Sequence, residues 1–174
     1  MSGWKLLTGK GLLKFFISMG KISAGILLYK FENNQLLFFL VHPGGPFFRR
    51  KDEGWWTIPK GEPQENEEPL DNALREFEEE TGYRPSGNFI ELKPVTQKGG
   101  KKVACWAVKG DLDPETIVSN TFEVEWPPRS GKLQSFPEID KAGWFDLEQA
   151  QIKINERQLA LLEELTLIIG SSLK

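Results

Sequence analysis

An α/β or α+β sandwich is the fold class this sequence predicts, on three observations. Short runs rich in apolar, aromatic and β-branched residues recur along the chain, which is the composition of strands. Two longer segments, 69–81 and 154–169, repeat their apolar residues at helical spacing instead. The 174 residues contain no internal repeat or low-complexity stretch and 27% of them are charged, so a single globular domain with a sizeable core is expected.

Residues 1–21 mix lysines with apolar residues, but their apolar runs fall far short of the ~20 residues that span a bilayer. They lack the uninterrupted core of a signal peptide, and TGKG lacks the spacing of a phosphate loop. This segment reads as a basic amphipathic extension, flexible or loosely docked. The domain is expected over 22–170, with no membrane span and a cytoplasmic location.

ISAGILLYKF (22–31) and QLLFFLVH (35–42) read as two strands of a central sheet, joined by ENN as a tight hairpin turn. PGGPFFRRKDEG (43–54) is dense in chain breakers and charge and reads as an exposed loop. WWTIP (55–59) follows as a short strand or extended lead-in, and KGEPQENEE (60–68) as a polar loop. Pro69 suits a first helical position. Leu70, Ala73, Leu74, Phe77 and Thr81 then form one buried stripe, and Gly82 suits the residue just past a helix end. FIELKPV (89–95) and KVACWAVKG (102–110) read as strands around the turn QKGGK. TFEVEW (121–126) alternates as a further strand, and PPRSGKLQSFPEIDK (127–141) reads as a long loop. GWFDL (143–147) runs as a last strand into a helical turn, and INERQLALLEELTLII (154–169) reads as a helix capped by Asn155.

Several chemistries are excluded by counting. Cys105 is the only cysteine and His42 the only histidine. Disulfides within the chain, thiolate zinc clusters and multi-histidine metal sites are therefore out of reach of one chain. Cys105 reads as a buried small hydrophobe and His42 as structural. A net charge of −3 gives no electrostatic case for nucleic acid as the main partner. Acid–base work falls to carboxylates, lysines or metal-bound water.

The stretch REFEEETG (75–82) puts four glutamates at a helix C-terminus, where each is unfavourable by about 0.3–1 kcal/mol. Nothing in folding requires that, and such violations belong to functional sites. With Leu70 at 0°, Glu79 falls near roughly 180°, Glu76 near 240° and Glu80 near 280°, on one arc clear of the apolar stripe. Glu78 lies on the other flank and reads as solvated surface, while Arg75 stands beside Glu79. Three carboxylates without histidine or thiolate make a hard-oxygen set suited to Mg2+ or Mn2+.

Upstream residues sharpen this. Gly61, five residues, Glu67, seven residues and then Arg75-Glu76-Phe77-x-Glu79-Glu80-x-Gly82-Tyr83 resembles the Nudix box, with seven fixed identities in 23 residues. Only the usually aliphatic positions differ, being Phe77 and Tyr83 here. WWTIPKGE before the box and EIDKAGWFDLEQA after it look like the same family, so the resemblance covers about residues 22–169.

The resemblance implies an α/β/α sandwich with a central mixed sheet and a catalytic loop-helix. It implies hydrolysis of a nucleoside diphosphate linked to another moiety, a small-molecule nucleotide as partner, and Mg2+ (Mn2+ as substitute) as cofactor. Carried over by position, Glu79 and Glu80 would be metal ligands, and Glu76 a further ligand or the acid–base group. Arg75 would orient a glutamate, and Lys60-Gly61 would offer a backbone carbonyl to the metal. Glu67 would close the loop on the helix, which Gly82 ends. The water's base is expected at Glu76, with Glu138 and Glu125 as rivals and Glu123 as a further late candidate. By analogy a homodimer is also in view.

Arg49, Arg50 and Lys51 in one loop and Arg129 and Lys132 in the other are candidate phosphate contacts. Phe47, Phe48 and Trp126 beside them are candidates to stack on a base or to pack within the loops. These loops and the PKGE lead-in look more like members acting on nucleoside or dinucleoside polyphosphates than on sugar nucleotides. The alternative is a nucleotide-binding or regulatory module that does not cleave.

Overall fold

The computed structural model describes residues 22–172; the expected extension over 1–21 lies outside the described residues. Strand β1 (Ile22–Glu32) turns back into β2 (Gln35–Pro43) through Asn33 and Asn34, both at positive φ, as a two-residue hairpin requires. After the loop comes β3 (Lys60–Gly61), and then helix α1 (Pro69–Thr81). Strands β4 (Ile90–Thr96), β5 (Lys102–Lys109), β6 (Thr121–Glu125), β7 (Leu133–Pro137) and β8 (Ile139–Phe145) follow. Helices α2 (Leu147–Lys153) and α3 (Leu159–Ser172) close the described chain.

One mixed sheet runs β4-β5-β1-β2-β8, with β1 and β5 parallel and the other neighbours antiparallel. β3 pairs with the first part of β1, while β2 pairs with its last part. The sheet opens between these two partners, and residues 57–61 fill the gap: Thr57 exchanges both hydrogen bonds with Val41, and Ile26 N donates to Pro59 O. Gly25 is required there, since a Cβ would stand 2.5 Å from Pro59 O.

Both faces are buried, so the strands carry continuous apolar runs. On one face Leu27, Tyr29, Phe38, Leu40 and Cys105 pack on Ala150, Leu161, Leu162 and Leu165 of α2 and α3. On the other Ile26, Leu28, Phe39, Val41 and Val108 pack on Ala73 and Phe77 of α1. The result is the expected α/β/α sandwich, with α1 alone on its face.

Three segments differ from the sequence reading. Residues 127–141 are not one loop, because β7 pairs residue for residue with β6 as a separate hairpin and β8 begins at Ile139. Lys60-Gly61 is a strand pair rather than loop. Asn155 caps a 3-10 turn, Glu156–Gln158, by accepting from Arg157 N, and α3 starts after it. Among the described residues no helix is long and apolar enough to cross a membrane.

Candidate active site

α1 begins with Pro69 and ends on Gly82 at φ 75°, whose N–H donates to Glu78 O, so its limits are those expected. Its apolar stripe fixes its rotation: Ala73, Phe77 and Thr81 are buried against the sheet. The acids are thereby turned toward Lys60-Gly61, which β1 holds in place.

Arg75 organises the face. Its Nε and Nη2 donate to the two oxygens of Glu67 at 2.8 and 3.0 Å, and Nη1 donates to Glu76 Oε1 at 2.8 Å and Glu79 Oε2 at 3.0 Å. Nη2 also donates to Glu62 O and Asn72 Oδ1. Glu67 Oε2 accepts from Gln64 N, so the acid closes its own loop onto the helix. Hydrogen bonding by Arg75 holds the Glu67 carboxyl below its ordinary range, and the same bond raises Arg75 further.

Gly61 and Glu76 are in close contact, since a Cβ on Gly61 would lie 2.0 Å from the Glu76 carboxylate. Asn72, fully buried, reaches Gly61 O with Nδ2 at 3.3 Å. Lys60 N donates to Glu80 Oε2 at 3.2 Å. Burial pushes the Glu80 carboxyl up, with Lys60 opposing and Glu76 and Glu138 adding to the rise. Burial likewise raises Glu76 and lowers Lys60.

Glu138 joins this field from the far end of the chain. Val118 N and Asn120 N donate to Thr81 O and Glu79 O at the end of α1, and Glu138 N donates to Asn120 O at 2.8 Å. Burial and then the charges of Glu76 and Glu79 raise the Glu138 carboxyl. Its carboxylate makes no hydrogen bond among the described residues. Glu125 instead accepts from Gly131 N, and Glu123 is exposed on β6. Glu78 pairs with Arg84, away from the other acids.

Glu67, Glu76, Glu79, Glu80 and Glu138, five carboxylates around Arg75 and Lys60, form a hard-oxygen set, which is the chemistry of a Mg2+ or Mn2+ site. Among the described residues no three histidines, cysteines, aspartates or glutamates are gathered tightly enough to hold an ion as they stand. The hydrogen bonds explain the spacing: Arg75 takes one oxygen each of Glu76 and Glu79, and Lys60 N takes one of Glu80. Each acid keeps a second oxygen outside these bonds, so the donor set fits a cation that competes with Arg75.

The loop candidates form no hydrogen bond or ion pair with these acids among the described residues. Arg49, Arg50, Arg129 and Lys132 are exposed. The Lys51 ammonium sits 3.7 Å from the Trp55 ring centroid, and Trp126 packs edge-on to Phe47 at 5.5 Å. His42 is buried between Asp140, at 2.6 Å from Nδ1, and Lys51 O, which accepts from Nε2 at 2.7 Å. Cys105 is buried and its thiol is raised by that burial.

The sequence reading missed Asn72. On the same helical projection it falls near roughly 200°, between Glu79 and Glu76, and that position was the available signal. It also assigned Lys60 only a carbonyl, whereas its ammonium shares the field of Glu80 and Glu76.

The family model for the NUDIX domain matches residues 19–165. An mRNA-decapping protein of African swine fever virus is 67% identical over 118 residues, covering 62% of this chain and 43% of the relative. An RNA pyrophosphohydrolase of Bartonella henselae is 39% identical over 75 residues, 41% of this chain and 40% of the relative. The chain thus spans about two-fifths of the length of these two relatives. An asymmetrical bis(5'-nucleosyl)-tetraphosphatase of Rattus norvegicus is 31% identical over 104 residues, 56% of this chain and 67% of the relative. Among solved structures, a C. elegans Ap4A hydrolase complex superposes with TM-score 0.59 at 21% identity, over 87% of this chain and 98% of its own. That likeness shows the fold.

Proposed function

The chain belongs to the NUDIX family, and on that premise we propose that it hydrolyses a pyrophosphate linkage in a nucleoside or dinucleoside polyphosphate. One observation carries the reading: Arg75 draws Glu67, Glu76 and Glu79 together, beside Gly61, Glu80 and Glu138. The names of the relatives support it, since all three describe proteins acting on RNA ends or nucleoside polyphosphates.

The family works with divalent metals in general, and for this chain we propose Mg2+, with Mn2+ as substitute. Glu79, Glu80 and Glu76, with a carbonyl of Lys60 or Gly61, would hold it. The ion, when bound, would neutralise pyrophosphate oxygens and lower the pKa of the attacking water.

The remaining work belongs to the chain. Arg75 holds Glu76 and Glu79 in place, and Glu67 and Asn72 hold Arg75. Glu138 is the proposed base, ahead of Glu76: its carboxylate makes no hydrogen bond among the described residues, whereas Arg75 holds one oxygen of Glu76. As the water oxygen bonds to phosphorus, Glu138 takes its proton, and the bridging P–O electrons leave with the departing phosphate. A cytoplasmic location is part of the proposal.

The test is a nucleotide panel with Mg2+ and identification of products by mass. Turnover that Glu79→Gln or Glu80→Gln abolishes is expected. Tight nucleotide binding with no turnover across the panel would return the chain to a non-catalytic binding module.

A further inference from the structure

We propose that the β6–β7 hairpin and the loop 44–54 form a track for a single-stranded polynucleotide whose 5'-polyphosphate end lies in the acidic site. This rests on the hydrolytic reading and adds where the rest of a long substrate runs.

The two elements are joined beside Glu138. Gly44 N donates to Glu138 O at 2.8 Å, and a Cβ on Gly44 would lie 2.1 Å from Pro137 O. Farther along, a Cβ on Gly45 would lie 2.8 Å from the Phe122 ring, and Phe47 meets Trp126 edge to face. The loop therefore lies along the hairpin, from the end next to the acids toward the tip.

Period-two alternation sorts the hairpin's faces. Phe122, Val124 and Trp126 are half-buried on the side of the loop, while Glu123 and Glu125 are exposed on the other. Phe47 remains 54% exposed despite its contact with Trp126. Folding does not call for an exposed Phe47 ring held beside the half-buried Trp126.

Cations flank that pair. Arg49 and Arg50 follow Phe47, and Arg129 and Lys132 follow Trp126; all are exposed and none joins an ion pair among the described residues. Aromatic faces beside unpaired cations hold single strands, because every base offers a π-face and every linkage a phosphate. A five-residue strand spans roughly 17 Å at 3.4 Å per residue. A stacked strand rises about 3.4 Å per phosphate, so about five nucleotides match the distance from Glu138 to the tip. The net charge of −3 does not oppose this, since the recognising charge is local.

The experiment measures kcat/KM with 5'-triphosphate oligoribonucleotides of one, two, four and eight nucleotides at two salt concentrations. The octamer should exceed the mononucleotide by roughly tenfold or more, with the steeper salt dependence. In Trp126→Ala and Phe47→Ala that ratio should fall toward one, and Trp126→Phe should keep most of it. Arg129→Ala should reduce the octamer's salt slope by about 1. Hydrolysis of short nucleotides without a length effect overturns the track and leaves the hydrolytic reading standing. A length effect that survives both aromatic replacements also overturns it. Absence of hydrolysis at any length fails the hydrolytic reading first.

Discussion

Arg75 is one side chain with five N–H donors and six acceptors around it, on α1, the Gly61 loop and Glu67. A planar fork can do this and an ammonium cannot. Arg75→Lys is therefore expected to lower kcat about 10–100-fold, measured at saturating Mg2+, because Glu76 and Glu79 lose their common donor. Gly61→Ala tests the same site from the other side. Its backbone needs no unusual φ, so the effect comes from the added methyl against the Glu76 carboxylate. Activity should fall about 10–100-fold while the melting temperature moves little; full activity in Gly61→Ala would show that Glu76 can step aside freely. Much of this was legible in the sequence, because box spacing gives identities. Spacing could not tell Glu138 from Glu125, since both are late glutamates and only their surroundings differ. Gly131 N occupies one, and the charges of Glu76 and Glu79 act on the other.

At the scale of the element, α1 was readable to its last residue because its signals are local: Pro69, an apolar period, and Gly82. β7 was not, because LQSFP (133–137) follows Gly131 closely, ends in a proline itself, and becomes a strand only through pairing with β6. β3 is two residues long and contains a glycine, so nothing short of the opened sheet announces it. The acids on α1 also set a pH dependence for the protein freed of metal. Glu76, Glu80 and Glu138 have raised carboxyls in the fold, Glu80 up to about 8. At these three carboxyls the folded state thus binds more protons, and their contribution is present below the ordinary carboxylate range and lost as pH rises through the raised values. Glu67 works the other way: its lowered carboxyl stabilises above the ordinary range and loses that as pH falls through its folded value. The melting temperature in chelator should therefore decline from about pH 5 to pH 8. Millimolar Mg2+ should flatten or reverse the slope, because it binds the ionised acids. Equal slopes with and without Mg2+ would mean that these acids are not where the metal acts.

For the whole molecule, the site depends on a segment that belongs to neither neighbouring strand. Residues 57–61 pass through the opening between β1 and β2, and the C-terminal elements hold the lead-in from Gly54 to Ile58 from behind. Gly54 N donates to Ile152 O, Trp56 N to Lys153 O, and Asn155 N to Trp56 O. Gln158, fully buried, completes the clamp: Oε1 accepts from Ile58 N at 3.0 Å, and Nε2 donates to Thr57 Oγ1 at 2.8 Å. Ile58 N has no ladder partner where the sheet opens, so this amide satisfies it. Gln158→Leu keeps the volume and leaves that N–H without an acceptor, at about 1–3 kcal/mol. If the clamp sets the position of Lys60-Gly61, the Mg2+ concentration for half-maximal activity should also rise, about tenfold. Leu161→Ala separates the two effects. It should cost about 2–5 kcal/mol from the same core, yet leave the Mg2+ requirement unchanged below its melting temperature, since Leu161 shares the core cluster of Trp56 and Ile58 but supplies no acceptor to the lead-in's backbone. A Gln158→Leu protein that melts lower but needs no more Mg2+ would show that β1 alone holds Gly61 against Glu76.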